Sequence, residues 1–228
     1  MKNLEEKLKN PVWYSLNETH NPLLIKYEGV QFYQTDICSF GAFKDATKTA
    51  NALNKHSKIA ESFFLVVEKD TPTIDTSKVV LKKKFNGCQM VLDHLVEVEI
   101  KEKIILLTKE NINEVYDLIW LVMPDFYKKR GFEMGKFFGI YKDNKLVAIS
   151  GQRMQTDDFI EISSVVTHPD YTRQGFAKQL IYHTTKEILK EKKLPILHTN
   201  KGNTAIPLYE KLGFKLTRDM NWWLFCRK

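Results

Sequence analysis

From residue 104 onward the apolar positions fall into runs of two kinds. "IILLT" (104–108) is a short continuous run of strand type. "KENINEVYDLIWLVMP" then spaces Ile112, Val115, Leu118, Ile119 and Val122 at helical intervals, with Thr108 placed to cap the start and Pro124 to stop the end. "KFFGIYKDNKLVAISGQRM" predicts two strands joined at Lys142-Asp143-Asn144-Lys145, because Asp and Asn tolerate the positive φ of a tight hairpin turn. "FIEISSVV" (159–166) predicts a third strand. Past a glycine turn, Ala177, Leu180, Ile181, Ile188 and Leu189 form the apolar stripe of a helix that must end before Pro195. "PILHT" (195–199) reads as a strand, "TAIPLYEKLGF" (204–214) as a short helix closed by Gly213, and "NWWLFC" as a final strand. This order predicts an α+β fold: a mixed, largely antiparallel sheet flanked by helices.

The first hundred residues are less regular. "SFFLVVE" (62–68) has strand composition, and "EKDTPTIDTSK" (68–78), rich in Thr, Asp and Pro, reads as a loop. After "VVLKKKF" and "CQMVLDHLVEVEI", the charged "KEK" at 101–103 marks a division. The expectation is a smaller mixed N-terminal domain over 1–103, of unassigned function, beside a second domain over 104–228. Trp13, Tyr14, Phe32 and Tyr33 read as core or interface aromatics. His20 and His56 have no partner at metal-ligand spacing, so no metal site is expected.

Composition narrows the function classes. The chain has 228 residues and 43% hydrophobic content, enough for a substantial core, and no run approaches the roughly 20 apolar residues of a membrane span. "MKNLEEKLKN" lacks the apolar segment of a secretory signal. Cys38, Cys88 and Cys226 lie far apart, which predicts reduced thiols in a cytoplasmic protein. The formal net charge of +7 favours anionic ligands, phosphorylated cofactors included, and disfavours a polycationic acceptor such as spermidine. The lysine clusters at 81–85 and 190–193 read as solvated faces.

The stretch "THPDYTRQGFAKQL" (167–180) carries the candidate chemistry. It leads from a strand through a basic glycine turn into a helix, whose first N–H groups are unpaired and whose end is electropositive. Gly175 and Ala177 leave room for a close approach, and Arg173 and Lys178 add charge. N–H groups from Gln174 through Phe176 to Lys178 can therefore hold a diphosphate. The GxGxxG pattern fails here because only Gly175 of its three glycines is present, and GxxxxGK[ST] occurs nowhere, which disfavours dinucleotide oxidoreductases and P-loop hydrolases.

With "TAIPLYEKLGF" following one helix and one strand later, "EISSVVTHPDYTRQGFAKQLI" resembles the core of the GNAT acyltransferase superfamily, in the branch with Gly-x-Ala in its pyrophosphate loop. The resemblance spans residues 104–228. It implies an N-acetyltransferase in which acetyl-CoA lies where two strands diverge, and the backbone at Val165, Val166 and Thr167 pairs with the pantetheine. It implies that a primary amine attacks the thioester directly and that the resulting oxyanion collapses to release the thiolate. Tyr209 matches the residue that protonates the leaving sulfur. Glu161 is the candidate base, acting through water, while His168 reads as part of the turn.

Two departures stand out. Thr172 occupies a position where relatives often have Arg or Gln. The helper Asn expected seven residues before the Tyr falls on Gly202, so Asn203, one residue late, becomes the candidate for that cofactor contact. The acceptor is expected to be a small-molecule or peptide amine, with no membrane and no nucleic-acid partner, and a homodimer is left open. The rival reading is a non-catalytic module for sensing CoA or binding RNA, with "DFYKKRGF" (125–132) as its one basic and aromatic stretch.

Overall fold

The structure, a computed structural model, describes residues 2–75, 77–124 and 127–228. Within the expected loop Thr76 lies outside these residues, as do Asp125 and Phe126 of the basic stretch. Among the described residues, eleven strands and six α-helices follow one another along the chain. The first part contains α1 (Lys2–Lys9), α2 (Pro11–Asn17), β1 (Leu24–Tyr27), β2 (Val30–Tyr33), β3 (Phe40–Phe43), α3 (Thr49–His56), β4 (Ser62–Val67) and β5 (Val79–Leu92). The second contains β6 (Ile104–Leu107), α4 (Ile112–Val122), β7 (Phe137–Lys142), β8 (Lys145–Gln155), β9 (Phe159–Thr167), α5 (Phe176–Lys190), β10 (Leu194–Asn200), α6 (Ile206–Lys211) and β11 (Phe214–Arg227).

All the strands join one sheet in the order β1-β2-β3-β4-β11-β5-β10-β9-β8-β7-β6. Only β3–β4 and β9–β10 are parallel. The mixed, largely antiparallel α+β architecture is thus present. The sheet also runs through the expected division at residue 103, because β5 lies between β10 and β11. The two expected parts therefore share one sheet.

Local signals in the second part act as their chemistry requires. Asp143 and Asn144 take φ of 49° and 60° in the hairpin turn. Thr108 and Asn111 form a capping box ahead of α4, and α4 ends at Val122, just before Pro124. Gly213, at φ 95°, turns the chain from α6 straight into β11, which therefore begins seven residues earlier than the apolar run "NWWLFC" suggests.

Helices cover both faces. Neighbours on β7 diverge: Phe137 joins the cluster beneath α4 with Val115, Leu118 and Ile119, while Phe138 joins Phe176 and Leu180 of α5. Helices α1 and α2 place Leu8, Val12 and Leu16 against Phe64, Ile196 and Trp222, and α3 packs Leu53 with Phe32, Phe63 and Phe225. Phe32 and Tyr33 are fully buried, whereas Trp13 and Tyr14 are half-buried beneath the Lys44 ammonium.

Both isolated histidines are buried in this frame. His20 bonds Ser15, Tyr33 and the Met134 carbonyl, and His56 stacks on Phe32 at 3.8 Å between ring centroids. The three cysteines are free thiols. No helix of the described residues is long and apolar enough to cross a membrane, and no cluster of three or more His, Cys, Asp or Glu among them could hold a metal ion.

Candidate active site

The site begins where β9 and β10 part. Their parallel ladder runs from Leu194↔Phe159 to Leu197↔Ile162 and stops, while β10 continues to pair with β5 as far as Asn200↔Gly87. A bulge on β9 accounts for the divergence. The step from Val166 to Ser163 faces only the step from Ile149 to Gly151, so β9 holds an extra residue, and Ser164 takes φ 50°. That conformation is uncommon outside glycine, and such a bulge bends its strand away from its neighbour.

A cavity of about 370 Å³ opens in the gap. Ser163, Ser164 and Val165 line it from β9, and His198, Thr199 and Asn200 from β10. Residues 37–40 with Phe64 and Phe85 add a wall from the first part of the chain. Of the three residues expected to offer backbone, Val165 is half-buried on the wall, Val166 is buried in the cluster beneath α4, and Thr167 pairs with Ala148.

The glycine turn stands at the top of β9. Arg173 and Gly175 have φ of 61° and 80°, and Gly175 is the N-cap of α5 with no side chain closing the helix end. Thr172 to Gly175 and Lys178 are exposed, Ala177 is half-buried, and Phe176 is buried as an anchor. A Cβ built on Gly175 would meet nothing within 4 Å, so the space before the helix amides is open. The Thr172 hydroxyl donates to the Pro169 carbonyl within the turn, and His168 accepts from the Asp170 N–H.

Tyr209, on α6, lines the cavity half-buried, and its hydroxyl makes no hydrogen bond among the described residues. Burial pushes its phenol above the usual value, so it keeps its proton at neutral pH. Asn203 also lines the cavity, but both of its polar atoms have partners, one at the end of β10 and one in the loop leading to α6. Its Nδ2 donates to Thr199 Oγ1 at 2.6 Å and its Oδ1 accepts from the Ala205 N–H at 2.9 Å. The side chain thus braces the segment that carries Tyr209.

Glu161 departs from its expected part. It is fully buried, with Arg153 Nε and Nη2 donating to its two oxygens at 2.7 and 2.6 Å and His198 Nδ1 at 2.8 Å. Burial pushes the carboxyl up, but the Arg153 charge and the hydrogen bonds from Arg153 and His198 outweigh it and hold the group at about 2. A carboxylate engaged on both oxygens and so weakly basic is a buried counter-ion, which corrects the reading of Glu161 as a free base.

His198 is equally committed. The Gln89 Nε2 group donates both to the Leu8 carbonyl, which can only accept, and to His198 Nε2 at 2.9 Å. His198 therefore carries its proton on Nδ1, toward Glu161.

Arg153 and His198 were not singled out from the sequence, although an acid in the apolar run "FIEISSVV" demands a partner. Tyr127 and Gln152, further lining residues, gave no sequence signal. In the basic stretch, Lys129 lies over the Tyr116 ring and Arg130 pairs with Asp36 and Glu133, so this charge is tied down locally.

The comparisons agree with this geometry. A family model described as FR47-like protein matches residues 137–224. No curated protein matches the chain. A Novosphingobium aromaticivorans structure assigned to the GNAT family of acetyltransferases superposes with a TM-score of 0.86 at 25% identity, covering 97% of this chain and 98% of that one. A GCN5-related N-acetyltransferase from Kribbella flavida gives 0.62 at 15% identity, over 90% of this chain and 88% of that one, and so shows the likeness of fold alone. With the parted strands, the uncapped glycine turn and these matches together, the chain has a GNAT-like fold and is similar to the acetyltransferases of that superfamily.

Proposed function

We propose that this protein is an N-acyltransferase that moves an acetyl group from acetyl-CoA to a primary amine within a ternary complex. The observation that carries this reading is the end of the β9–β10 ladder at Ile162↔Leu197, which opens onto a cavity, with β9 itself leading on to the uncapped end of α5. The residues present fit coenzyme A: a strand edge free of β10 beyond Ile162, open helix amides at Gly175 and exposed Arg173 and Lys178. The co-substrate would supply a thioester, with an electrophilic carbonyl and a sulfur that leaves readily.

The chain's own part is positioning and proton supply. Backbone of residues 163–167 would align the pantetheine as an added strand, and the α5 amides would hold the diphosphate. Tyr209 would hold a proton at its hydroxyl oxygen for the departing sulfur. Neither Glu161 nor His198 has a free lone pair directed to a substrate proton. The amine must therefore reach the carbonyl already uncharged, and the apolar walls help by disfavouring its ammonium form.

The test is coenzyme A binding, followed by thiol release with a panel of primary amines. Coenzyme A should raise the melting temperature, and at least one amine should give acetyl-CoA-dependent thiol release. No uptake at millimolar coenzyme A would end the proposal.

A further inference from the structure

The amine-binding part of the cavity has a chemistry of its own, and the inference drawn from it rests on the acyltransferase reading. Among the described residues two cations line the cavity, Arg153 and Lys128, and no Asp or Glu does so. Glu161, just beneath, is spent on Arg153 and His198. Arg153 has five N–H donors, and Glu161 takes one from Nε and one from Nη2. The other Nη2 proton and both on Nη1 have no partner among the described residues. The free Nη2 proton and one of those on Nη1 form the end-on edge of the guanidinium, the fork that matches a carboxylate.

This edge is held in place. The guanidinium is clamped by the buried Glu161 on one side and stacks over the Phe40 ring at 4.7 Å, while the Arg153 side chain stays 24% exposed. Such a donor pair meets a ligand with little ordering cost. Among the described residues, two more side chains of the lining hold a polar atom without a partner: the Gln152 Nε2, in a residue only 2% exposed, and the buried Tyr127 hydroxyl. Buried polar groups without partners are rare in proteins, and these two lie just behind the cavity wall.

Gln152 and Arg153 are neighbours on β8, which would normally send them to opposite faces. A second bulge prevents this, because the step from Gln152 to Gln155 faces only that from Ile162 to Ile160. The apolar part of the wall is made by Phe40, Phe64, Phe85, Phe137 and Trp222, with Ser and Asn side chains between.

We propose that the acceptor is a small amine that also bears a carboxylate on an apolar body, in the manner of an apolar amino acid, with the carboxylate seated on the free edge of Arg153. A polyamine would set a second cation against Arg153 and Lys128 with no counter-ion. A plain alkylamine would leave the Arg153 edge empty. The volume of about 370 Å³ is near the lower end of small-molecule sites, in keeping with a free amine. In the transfer, the amine nitrogen bonds to the acetyl carbon as the carbon–sulfur bond breaks and its electron pair stays on sulfur. The sulfur takes a proton from Tyr209, and a proton released by the nitrogen restores it. The products are an N-acetylated acid and free coenzyme A.

The experiment is calorimetric titration of the full chain, with and without coenzyme A, using three matched probes: phenylalanine, phenylalanine amide and phenethylamine. Leucine, leucinamide and isoamylamine form a second set, and spermidine a separate arm. The acids should bind about tenfold or more tighter than their partners. Arg153→Lys keeps a charge for Glu161 but gives up the fork, and should bring each set within about threefold. Lys128→Gln, which leaves the Glu161 pair untouched, should weaken the acids alone. Equal binding within a set, a preference for spermidine, or no binding by any probe would overturn the proposal. Coenzyme A titrated by itself reports separately on the acyltransferase reading, so either idea can fail without the other.

Discussion

Replacing Glu161 by Gln removes a negative charge from a fully buried site beside the Arg153 guanidinium. The carboxyl is held at about 2, against 4.5 for a free Glu, because the Arg153 charge and the Arg153 and His198 hydrogen bonds outweigh the opposing effect of burial. At about 1.4 kcal/mol for each tenfold change in acidity, that difference corresponds to roughly 3–4 kcal/mol. That agrees with the roughly 3–5 kcal/mol typical of removing one partner from a buried pair. Urea unfolding at pH 7 should therefore show a loss of about 3 kcal/mol at unchanged m, and the melting temperature should fall by roughly 6–12 °C.

The pH dependence has a definite sign. Because the folded-state value is depressed, the unfolded chain takes up the proton first. The stabilisation is complete above about 4.5 and is lost as the pH falls toward 2. The gap between wild type and variant should accordingly narrow by about 2 kcal/mol between pH 7 and pH 3. A variant within about 0.5 kcal/mol of wild type at pH 7, but with turnover reduced a hundredfold, would refute this reasoning and make Glu161 the base after all.

Three further outcomes are expected. Tyr209→Phe should lower kcat about a hundredfold in a thiol-release assay while leaving coenzyme A affinity unchanged, since it removes a proton and little surface. Gly175→Val should weaken coenzyme A binding in calorimetry through the strain of a branched side chain at φ 80°, with about 1–2 kcal/mol at stake, because nothing within 4 Å adds a clash. Burial lowers both His20 and His56 to about 4, so the unfolded chain protonates first near 6.5 and stability should decline as the pH falls from about 6.5 to 4; thermal melts of His56→Gln should show a shallower decline.

The second part of the chain was readable because its elements are set locally: the spacing of Ile112 to Val122, the Asp143-Asn144 turn, Gly175 and Gly213 each act within a few residues. Helices α1 to α3 were not read, since seven or eight residues give too few turns to display a period. The first half of β11 was hidden for another reason. Its "KLTRDM" is polar and becomes strand through pairing with β5, a partner more than a hundred residues distant. At the site, the turn and Tyr209 are legible in a contiguous motif. The Arg153–Glu161–His198 arrangement is not, because two bulges decide which side chains of β8 and β9 meet, and period-two alternation cannot foresee them.

The strand order also bears on how the molecule is made. β11 follows all the other strands in the chain, yet it sits between β4 and β5 with long ladders to both. During synthesis, every earlier strand can leave the ribosome while these two edges still await their common neighbour. The nascent chain passes through a stage with two adhesive seams, a window in which chaperones or cold growth should decide the yield of soluble protein.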